Sequence, residues 1–176
     1  MKTKEYLQEF DKYVNREDYQ KNFLKAIELI ENSQRIFFIG NGGSNAICSH
    51  MAEDFQKLIK YPTFCFSDGA LITCFSNDYG YENAMKEWIK GHALKNDLLV
   101  AISSSGESEN IINSVDYFKR NIGKVITLSG FTKNNSLSSK GDVNFSTETK
   151  SYGITECLHE VILHSLLDQI DENNNK

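Results

Sequence analysis

One apolar run that ends in a cluster of glycines constrains the fold of this chain more than any other feature. Residues 35–39 are Arg-Ile-Phe-Phe-Ile, and residues 40–44 are Gly-Asn-Gly-Gly-Ser. β-Branched and aromatic residues at this density predict a buried strand of a parallel sheet. Residues 45–58 then place apolar side chains at helical spacing. A strand, a glycine turn and a helix are therefore predicted in succession.

This succession is typical of anion-binding turns. The start of a helix directs unpaired backbone N–H groups and the positive end of the helix dipole toward whatever lies in front of it. Glycine allows positive φ angles and a close approach of the backbone, and Ser44 could cap the helix. Glycine turns also end strands where no ligand binds, so the motif alone leaves both interpretations open.

A second loop of related chemistry follows another predicted strand. Residues 97–102, which are apolar after Asp97, lead into Ser-Ser-Ser-Gly-Glu-Ser at residues 103–108, ahead of a predicted helix over residues 109–120. Hydroxyl groups are neutral hydrogen-bond donors that suit a phosphate without lysine or arginine. A serine-rich loop elsewhere would be a solvated turn. Two such loops at strand ends in one chain favour a phosphate ligand.

The remaining pattern alternates strands with helices. Further strands are predicted at residues 63–66, 124–128 and 143–145, and further helices at residues 70–75, 81–94 and 154–170. This alternation predicts an α/β fold with a five-stranded parallel sheet and helices on both faces. Both polar loops would then lie at the carboxyl edge of the sheet, where such folds bind ligands. Residues 131–142 are polar and are predicted to form an exposed turn or short helix.

Two amphipathic helices are predicted ahead of the sheet. We expect residues 1–34 to form an N-terminal helical segment and residues 35–172 to form one structural unit. The apolar faces of the two helices could pack on a partner subunit or on their own domain, and the sequence does not distinguish these arrangements.

Composition excludes several classes of partner. The chain of 176 residues has 24 acidic and 19 basic residues, a formal charge of −5, and no basic stripe with interleaved aromatic residues, so no nucleic-acid partner is expected. Its apolar runs are shorter than the ~20 residues that span a bilayer, so no membrane partner is expected. The N-terminus lacks the apolar core of a signal peptide, and we expect a cytoplasmic protein.

Two helices carry residues that could perform chemistry. His50 and Asp54 are four residues apart on the first crossover helix and therefore share a face. Glu156, Glu160 and His164 step by four along the last helix, and His159 lies on a neighbouring stripe. The rest of that helix is apolar, so it is predicted to be buried and its polar side chains need partners. A purely structural alternative is that Glu160 and His164 satisfy each other.

These motifs, together with Ser-Asn-Asp-Tyr-Gly-Tyr at residues 76–81, resemble the sugar isomerase (SIS) domain. More narrowly, the chain is similar to bacterial phosphoheptose isomerases from about residue 35 to residue 170. The resemblance implies a single SIS domain whose N-terminal helices are used in oligomerisation, and a homotetramer with sites at subunit interfaces. It also implies conversion of sedoheptulose 7-phosphate to D-glycero-D-manno-heptose 7-phosphate through an enediolate, in the synthesis of surface heptose for lipopolysaccharide or capsule.

The resemblance assigns roles to particular residues. It implies that Asp54 is the catalytic base with His164 as its partner, and that zinc is bound by His50, Asp54, Glu156 and His164. The substrate-binding residues that it implies are Asn41, Gly42, Gly43, Ser44, Asn77, Asp78, Ser103, Ser104, Ser105, Ser108 and Glu156.

The sequence departs from the family pattern at four of these or neighbouring positions. Asp54 stands where the family has glutamate, Glu156 where it has glutamine, Gly153 where it has aspartate, and Leu58 where it has arginine. Two alternatives are therefore open. The chain could be an isomerase of a different ketose phosphate, or it could be a non-catalytic SIS module that binds a phosphosugar or a partner protein. If Glu156 lies close to Asp54, mutual repulsion of the two carboxylates predicts tighter zinc binding than in a relative with glutamine.

Overall fold

The computed structural model describes residues 1–175, which form seven helices and five strands. The helices are α1 (Lys2–Val14), α2 (Glu17–Glu31), α3 (Gly43–Leu58), α4 (Gly69–Tyr79), α5 (Tyr81–His92), α6 (Glu109–Asn121) and α7 (Tyr152–Asn174). The strands are β1 (Ile36–Ile39), β2 (Thr63–Cys65), β3 (Leu98–Ser103), β4 (Lys124–Ser129) and β5 (Val143–Ser146).

The five strands form one parallel sheet in the order β2-β1-β3-β4-β5, so the predicted fold class is confirmed. The chain steps from β1 outward to β2 and then returns past β1 to β3. This reversal creates a crevice between the carboxyl ends of β1 and β3, which is where doubly wound sheets bind ligands. The two polar loops predicted to bind phosphate follow these two strands.

Successive residues of each central strand point to opposite faces of the sheet and enter separate cores. Phe38 packs with α2, α3 and α7 on one face, whereas Phe37 packs with α5 and α6 on the other, where α4 lies against α5. Both phenylalanines are fully buried. Burial of such a side chain contributes about 1.5–3 kcal/mol, which explains why β1 is apolar at every position.

The two N-terminal helices differ in how they pack. Helix α2 buries Ala26, Ile27 and Ile30 against its own domain. Helix α1 buries only Tyr13, and Leu7 on the same helix is 62% exposed. Of the two arrangements left open by the sequence, α2 therefore packs mainly on its own chain, while much of α1 remains uncovered.

Three local predictions are wrong in detail. The segment of residues 131–142 is not simply an exposed turn, because Asn135 and Leu137 are buried. Ser44 does not cap α3, because the helix begins at Gly43 and Ser44 lies within its first turn. The helix predicted over residues 70–75 continues to Tyr79 as α4, because Phe75 packs against Phe66 and Tyr79.

Over residues 1–175, no helix combines the length and the apolar content that crossing a membrane requires.

Candidate functional site

The glycine turn after β1 brings the backbone close to the last helix. Gly42 has a φ of +54°, a left-handed conformation that glycine adopts without strain. A Cβ atom built on Gly43 would lie 2.6 Å from Glu156 Oε1. The backbone conformation therefore favours glycine at position 42, and a side chain at position 43 would displace the Glu156 carboxylate, which lies directly against the start of α3.

The side chain of Asn41 is fixed by its neighbours. Asn41 Nδ2 donates to Asn110 Oδ1 (3.0 Å), and Asn110 Nδ2 donates to Asn41 Oδ1 (2.9 Å). The Tyr81 hydroxyl donates to the same Asn41 oxygen (2.8 Å). Asn110 is buried at the start of α6, so this reciprocal amide pair joins the glycine turn to the loop that follows β3.

The loop after β3 presents its hydroxyl groups toward the same crevice. Ser103 Oγ lies 3.0 Å from Ser108 Oγ, and Ser104 Oγ lies 3.5 Å from Ser44 Oγ. The Glu107 backbone N–H donates to Ser105 Oγ at 3.2 Å. Ser44, Ser103 and Ser104 are each at most 6% exposed. The hydroxyl groups are therefore held in place by contacts within the chain.

A buried asparagine supports this loop from below. Gly106 has a φ of +70°, and a Cβ atom there would overlap the Asn135 side chain. Asn135 donates to Ser129 Oγ and the Gly130 carbonyl, both at 3.1 Å. The segment of residues 131–142 therefore forms the floor of the serine loop, a role that its polar sequence did not reveal.

Glu107 ties the same segment to the loop on its outer side. Its carboxylate accepts hydrogen bonds from the Ser136 hydroxyl (2.5 Å) and the Ser136 backbone N–H (2.8 Å). These two hydrogen bonds lower the pKa of the Glu107 carboxylate. The segment of residues 131–142 thus contacts the serine loop at two points, through Asn135 at Gly106 and through Ser136 at Glu107.

A cleft of ≈ 270 Å³ joins the two loops. Its lining contains Asn41, Gly42, Gly43, Ser44, Ser103, Ser104, Ser105, Ser108, Tyr152 and Glu156. The structure thus brings together all the residues proposed to bind substrate except Asn77 and Asp78. The cleft has one carboxylate and several neutral hydroxyl donors, a chemistry that suits a phosphorylated polyol.

Asn77 and Asp78 do not line this cleft. They lie in the last turn of α4, where Asn77 Nδ2 donates to Asp78 Oδ1 at 2.9 Å and both residues are exposed. Asp78 Oδ2 also lies 3.8 Å from Cys74 Sγ. A substrate-binding role for these two residues stays a prediction, since within one chain they are not among the residues that line the cleft.

The histidines and carboxylates meet farther along α3 and α7, on an open surface. Asp54 Oδ2 lies 3.3 Å from His50 Nε2 and 3.9 Å from His164 Nδ1. The other nitrogen of His50, Nδ1, lies 3.2 Å from Glu160 Oε1. The two imidazole rings are 5.1 Å apart between centroids. We call His50, Asp54, Glu160 and His164 the histidine–carboxylate cluster.

Glu160 rather than Glu156 completes this cluster. Helices α3 and α7 both start at the carboxyl edge of the sheet and run in the same direction, with Glu156 beside Gly43 and Glu160 beside His50. A zinc role for Glu156 stays a prediction. Strong repulsion between Glu156 and Asp54 is not expected in this arrangement, because Glu156 lies beside Gly43 whereas Asp54 lies near His50 and His164.

The cluster offers donors that suit a divalent cation. One ligand atom from each of His50, Glu160 and His164 lies within 4.8 Å of the others. A neutral imidazole donates from only one nitrogen, yet both nitrogens of His50 face carboxylates. A metal cation bound beside His50 would supply positive charge between these carboxylates. Imidazole and carboxylate donors are the set that zinc prefers in catalytic sites.

His159 is separate from this cluster despite its position on the same helix. It is fully buried, and its Nε2 lies 3.2 Å from the Ser129 carbonyl oxygen. Burial lowers the pKa of His159 to about 4. The neutral ring then donates to Ser129 at the end of β4, so His159 supports the sheet beside the serine loop.

One departure from the family pattern has a structural explanation. A Cβ atom on Gly153, in the first turn of α7, would overlap the Tyr6 hydroxyl. Helix α1 therefore occupies the space that a longer side chain at this position would need. Leu58, another of the four departures, is 47% exposed at the end of α3, and its change from arginine has no explanation within one chain.

Comparisons with known proteins agree with this architecture. Residues 29–153 match the family model described as the SIS domain. A phosphoheptose isomerase of Histophilus somni is 33% identical over 129 residues, which cover 68% of this chain and 66% of that protein. A phosphoheptose isomerase of Fusobacterium nucleatum is 27% identical over 178 residues, covering 94% and 91%. The solved structure of a phosphoheptose isomerase from Neisseria gonorrhoeae has a TM-score of 0.84 at 24% identity, covering 97% and 94%.

Proposed function

The chain belongs to the SIS domain family, and from that membership we propose that it is a phosphosugar aldose–ketose isomerase. The proposed reaction is the conversion of sedoheptulose 7-phosphate to D-glycero-D-manno-heptose 7-phosphate, in the cytoplasm, for surface-heptose synthesis. The phosphoheptose isomerases of Histophilus somni and Fusobacterium nucleatum, to which the chain is similar, support this choice of substrate.

The observation that carries the proposal is the joining of two kinds of chemistry along one pair of helices. Neutral hydroxyl donors surround a cleft at the carboxyl ends of β1 and β3. The histidine–carboxylate cluster lies farther along α3 and α7, beyond Glu156. A sugar phosphate whose phosphate lies on the serine loop can extend its reacting carbons along these helices toward the cluster.

The proposed reaction transfers a proton between the first two carbons of the sugar. Asp54 removes the proton from one carbon and returns it to the other, and an enediolate forms between these steps. His164 exchanges a proton with the sugar oxygens, so that negative charge does not accumulate on them. Asp54 Oδ2 already lies 3.9 Å from His164 Nδ1, which keeps the base and its partner on one side of the substrate.

The proposed cofactor is zinc, held by His50 and His164 together with neighbouring carboxylates. Imidazole and carboxylate oxygen atoms within 4.8 Å of one another support such a site. A bound cation there would polarise the carbonyl and hydroxyl oxygens of the sugar. His50 contacts one carboxylate with each of its two ring nitrogens.

The proposed assembly is a homotetramer with sites at subunit interfaces. The open surface of the cluster supports this assembly, since His50 is 49% exposed in a single chain. Leu7 and Leu24 on the N-terminal helices are 62% and 68% exposed and would gain from being covered. Light scattering at micromolar concentration is expected to give four subunits, and a monomer would contradict both the assembly and the position of the sites at subunit interfaces.

A panel of ketose phosphates tests the proposed function. Each is incubated with the purified chain, and aldose phosphate is followed by NMR. We expect turnover of sedoheptulose 7-phosphate in preference to shorter ketose phosphates. If another ketose phosphate were turned over in preference, the proposed substrate would be wrong, but the proposed class of reaction would stand. Binding without any turnover would indicate a non-catalytic phosphosugar-binding module.

A further inference from the structure

Two glutamates on α7 compete for the same role in the proposed cation site. Glu156 and Glu160 are one helical turn apart on one stripe, a separation of about 6 Å along the axis. Sequence alone does not say which of them faces the histidines. The register between α3 and α7 decides the matter, because contacts such as His50–Glu160 and Asp54–His164 each join residues 110 positions apart.

Glu160 already has the spacing of a metal ligand. Its Oε1 lies 3.2 Å from His50 Nδ1, and ligand atoms of His50, Glu160 and His164 fall within 4.8 Å of one another. Around tetrahedral zinc, with bonds of about 2.1 Å, ligand atoms lie about 3.4 Å apart. Only a small inward movement of partly exposed side chains would therefore be needed.

Glu156 is engaged elsewhere. Its carboxylate lies against Gly43 and lines the serine cleft, one turn away from His50. To reach the histidines it would have to leave that cleft and enter a space where Glu160 already contacts His50. Its present position instead suits a hydrogen-bond acceptor for sugar hydroxyls.

We infer that Glu160, rather than Glu156, is the carboxylate ligand that joins His50 and His164 in binding a divalent cation. The inference rests on the proposed function for the existence of the cation site and adds the identity of its ligands. Two imidazoles and one carboxylate form a three-ligand set with an open position, as in catalytic zinc sites. The three carboxylates then divide their work: Glu160 binds metal, Asp54 transfers protons, and Glu156 faces the sugar.

Asp54 has a second part in this arrangement. Its Oδ2 lies 3.3 Å from His50 Nε2, the nitrogen opposite the one that faces Glu160. A carboxylate that accepts a hydrogen bond from the remote nitrogen of a ligating histidine fixes the tautomer of the ring. Asp54 therefore holds His50 with Nδ1 directed at Glu160.

Metal binding by matched variants tests the inference. The full chain is stripped of metal, and its affinity for Zn²⁺ is measured by competition with a chromogenic chelator. Loss of a residue that merely supports a ligand typically costs about 10–100-fold in metal affinity, so Glu160→Gln is expected to cost at least about tenfold. Glu156→Gln, the same change one turn away, is expected to leave zinc affinity within about threefold. Cobalt absorption is expected to change in the first variant only.

A shortened side chain separates ligation from a general charge effect. Glu160→Asp keeps the charge but withdraws the carboxylate. If Glu160 is a ligand, zinc binding should be clearly weaker in this variant. If Glu160 acts only as a remote charge, zinc binding should not change. Thermal unfolding confirms that each variant is folded. Zinc affinity unchanged in Glu160→Gln, or lost equally in Glu156→Gln, would overturn the inference. So would a wild-type chain that binds no zinc. Isomerisation by the wild type in excess EDTA is measured in parallel, so that failure of the metal assignment and failure of the proposed reaction are distinguished.

Discussion

The two ends of the candidate site are held in different ways. At the serine end, Ser44, Ser103 and Ser104 are at most 6% exposed, and Asn135 fills the space beneath Gly106. At the histidine end, the side chains of His50, Glu160 and His164 are 36–49% exposed. The chain thus holds its hydroxyl donors by internal contacts, whereas the side chains of the cluster remain open to solvent in a single chain.

This difference in burial predicts which kinetic property each end of the site governs. Donors that are already fixed cost little reorganisation when an anion binds, so the serine end is expected to govern affinity. The open cluster contributes little to folding and is expected to govern the rate. Substitutions at the serine end are therefore expected to change mainly KM and substitutions at the histidine end mainly kcat, and equal effects on both constants from either end would contradict this division.

The largest effect is expected at the open end, from Asp54→Asn. The amide keeps the size of the side chain and can still accept a hydrogen bond from His50, but it cannot take up the proton. General-base catalysis contributes about 10²–10⁴-fold, so kcat should fall by that factor. Steady-state kinetics check the fall, with affinity for inorganic phosphate as the control. A variant that keeps wild-type kcat would show that Asp54 is not the base.

A smaller effect, on the pH dependence of the free energy of unfolding, is expected from His159 at the buried end. Burial lowers its pKa to about 4 from an ordinary value of 6.5. Between these two values the unfolded chain binds the proton and the folded chain does not, so stability falls as the pH falls from about 6.5 to about 4. The shift corresponds to about 3 kcal/mol in total. Urea unfolding in EDTA between pH 4.5 and 7.5 measures the slope.

The matched variant is His159→Gln, which can still donate to the Ser129 carbonyl but does not titrate. Its free energy of unfolding should depend less on pH over the same range than that of the wild type. Equal slopes would be evidence that His159 is not the buried neutral group described. In contrast to the buried His159, His164 lies five residues farther along the same helix and its side chain is 36% exposed.

The smallest effect is expected from single hydroxyl groups of the serine loop. A hydrogen bond to a charged group is worth about 1.5–3 kcal/mol, so Ser105→Ala or Ser108→Ala should raise KM by roughly ten- to a hundredfold. The value of kcat should change little. Ser139→Ala, an exposed serine outside the cleft, is the control. If turnover of the phosphorylated sugar were insensitive to both loop changes, the loop would not be the phosphate site.

Local patterns predicted the elements but not the contacts between distant ones. The strands and both polar loops follow from runs of apolar residues and from Gly and Ser at their ends, which are signals within a few residues. Asn135 was missed because its burial depends on Gly106, which lies far from it in sequence. Helical spacing placed Glu156, Glu160 and His164 on one stripe, yet the choice of Glu160 depends on the register of α7 against α3. Such registers are set by packing of the whole domain.

The serine cleft and the histidine–carboxylate cluster are proposed to act on one substrate. The most direct measurement compares sedoheptulose 7-phosphate with phosphate-free sedoheptulose, following aldose formation by NMR with the wild-type chain. We expect aldose phosphate from sedoheptulose 7-phosphate. Because the loss of two hydrogen bonds to the phosphate corresponds to about 3 kcal/mol, kcat/KM for phosphate-free sedoheptulose is expected to be at least about a hundredfold lower. Equal turnover of the two sugars, or turnover of neither, would contradict it.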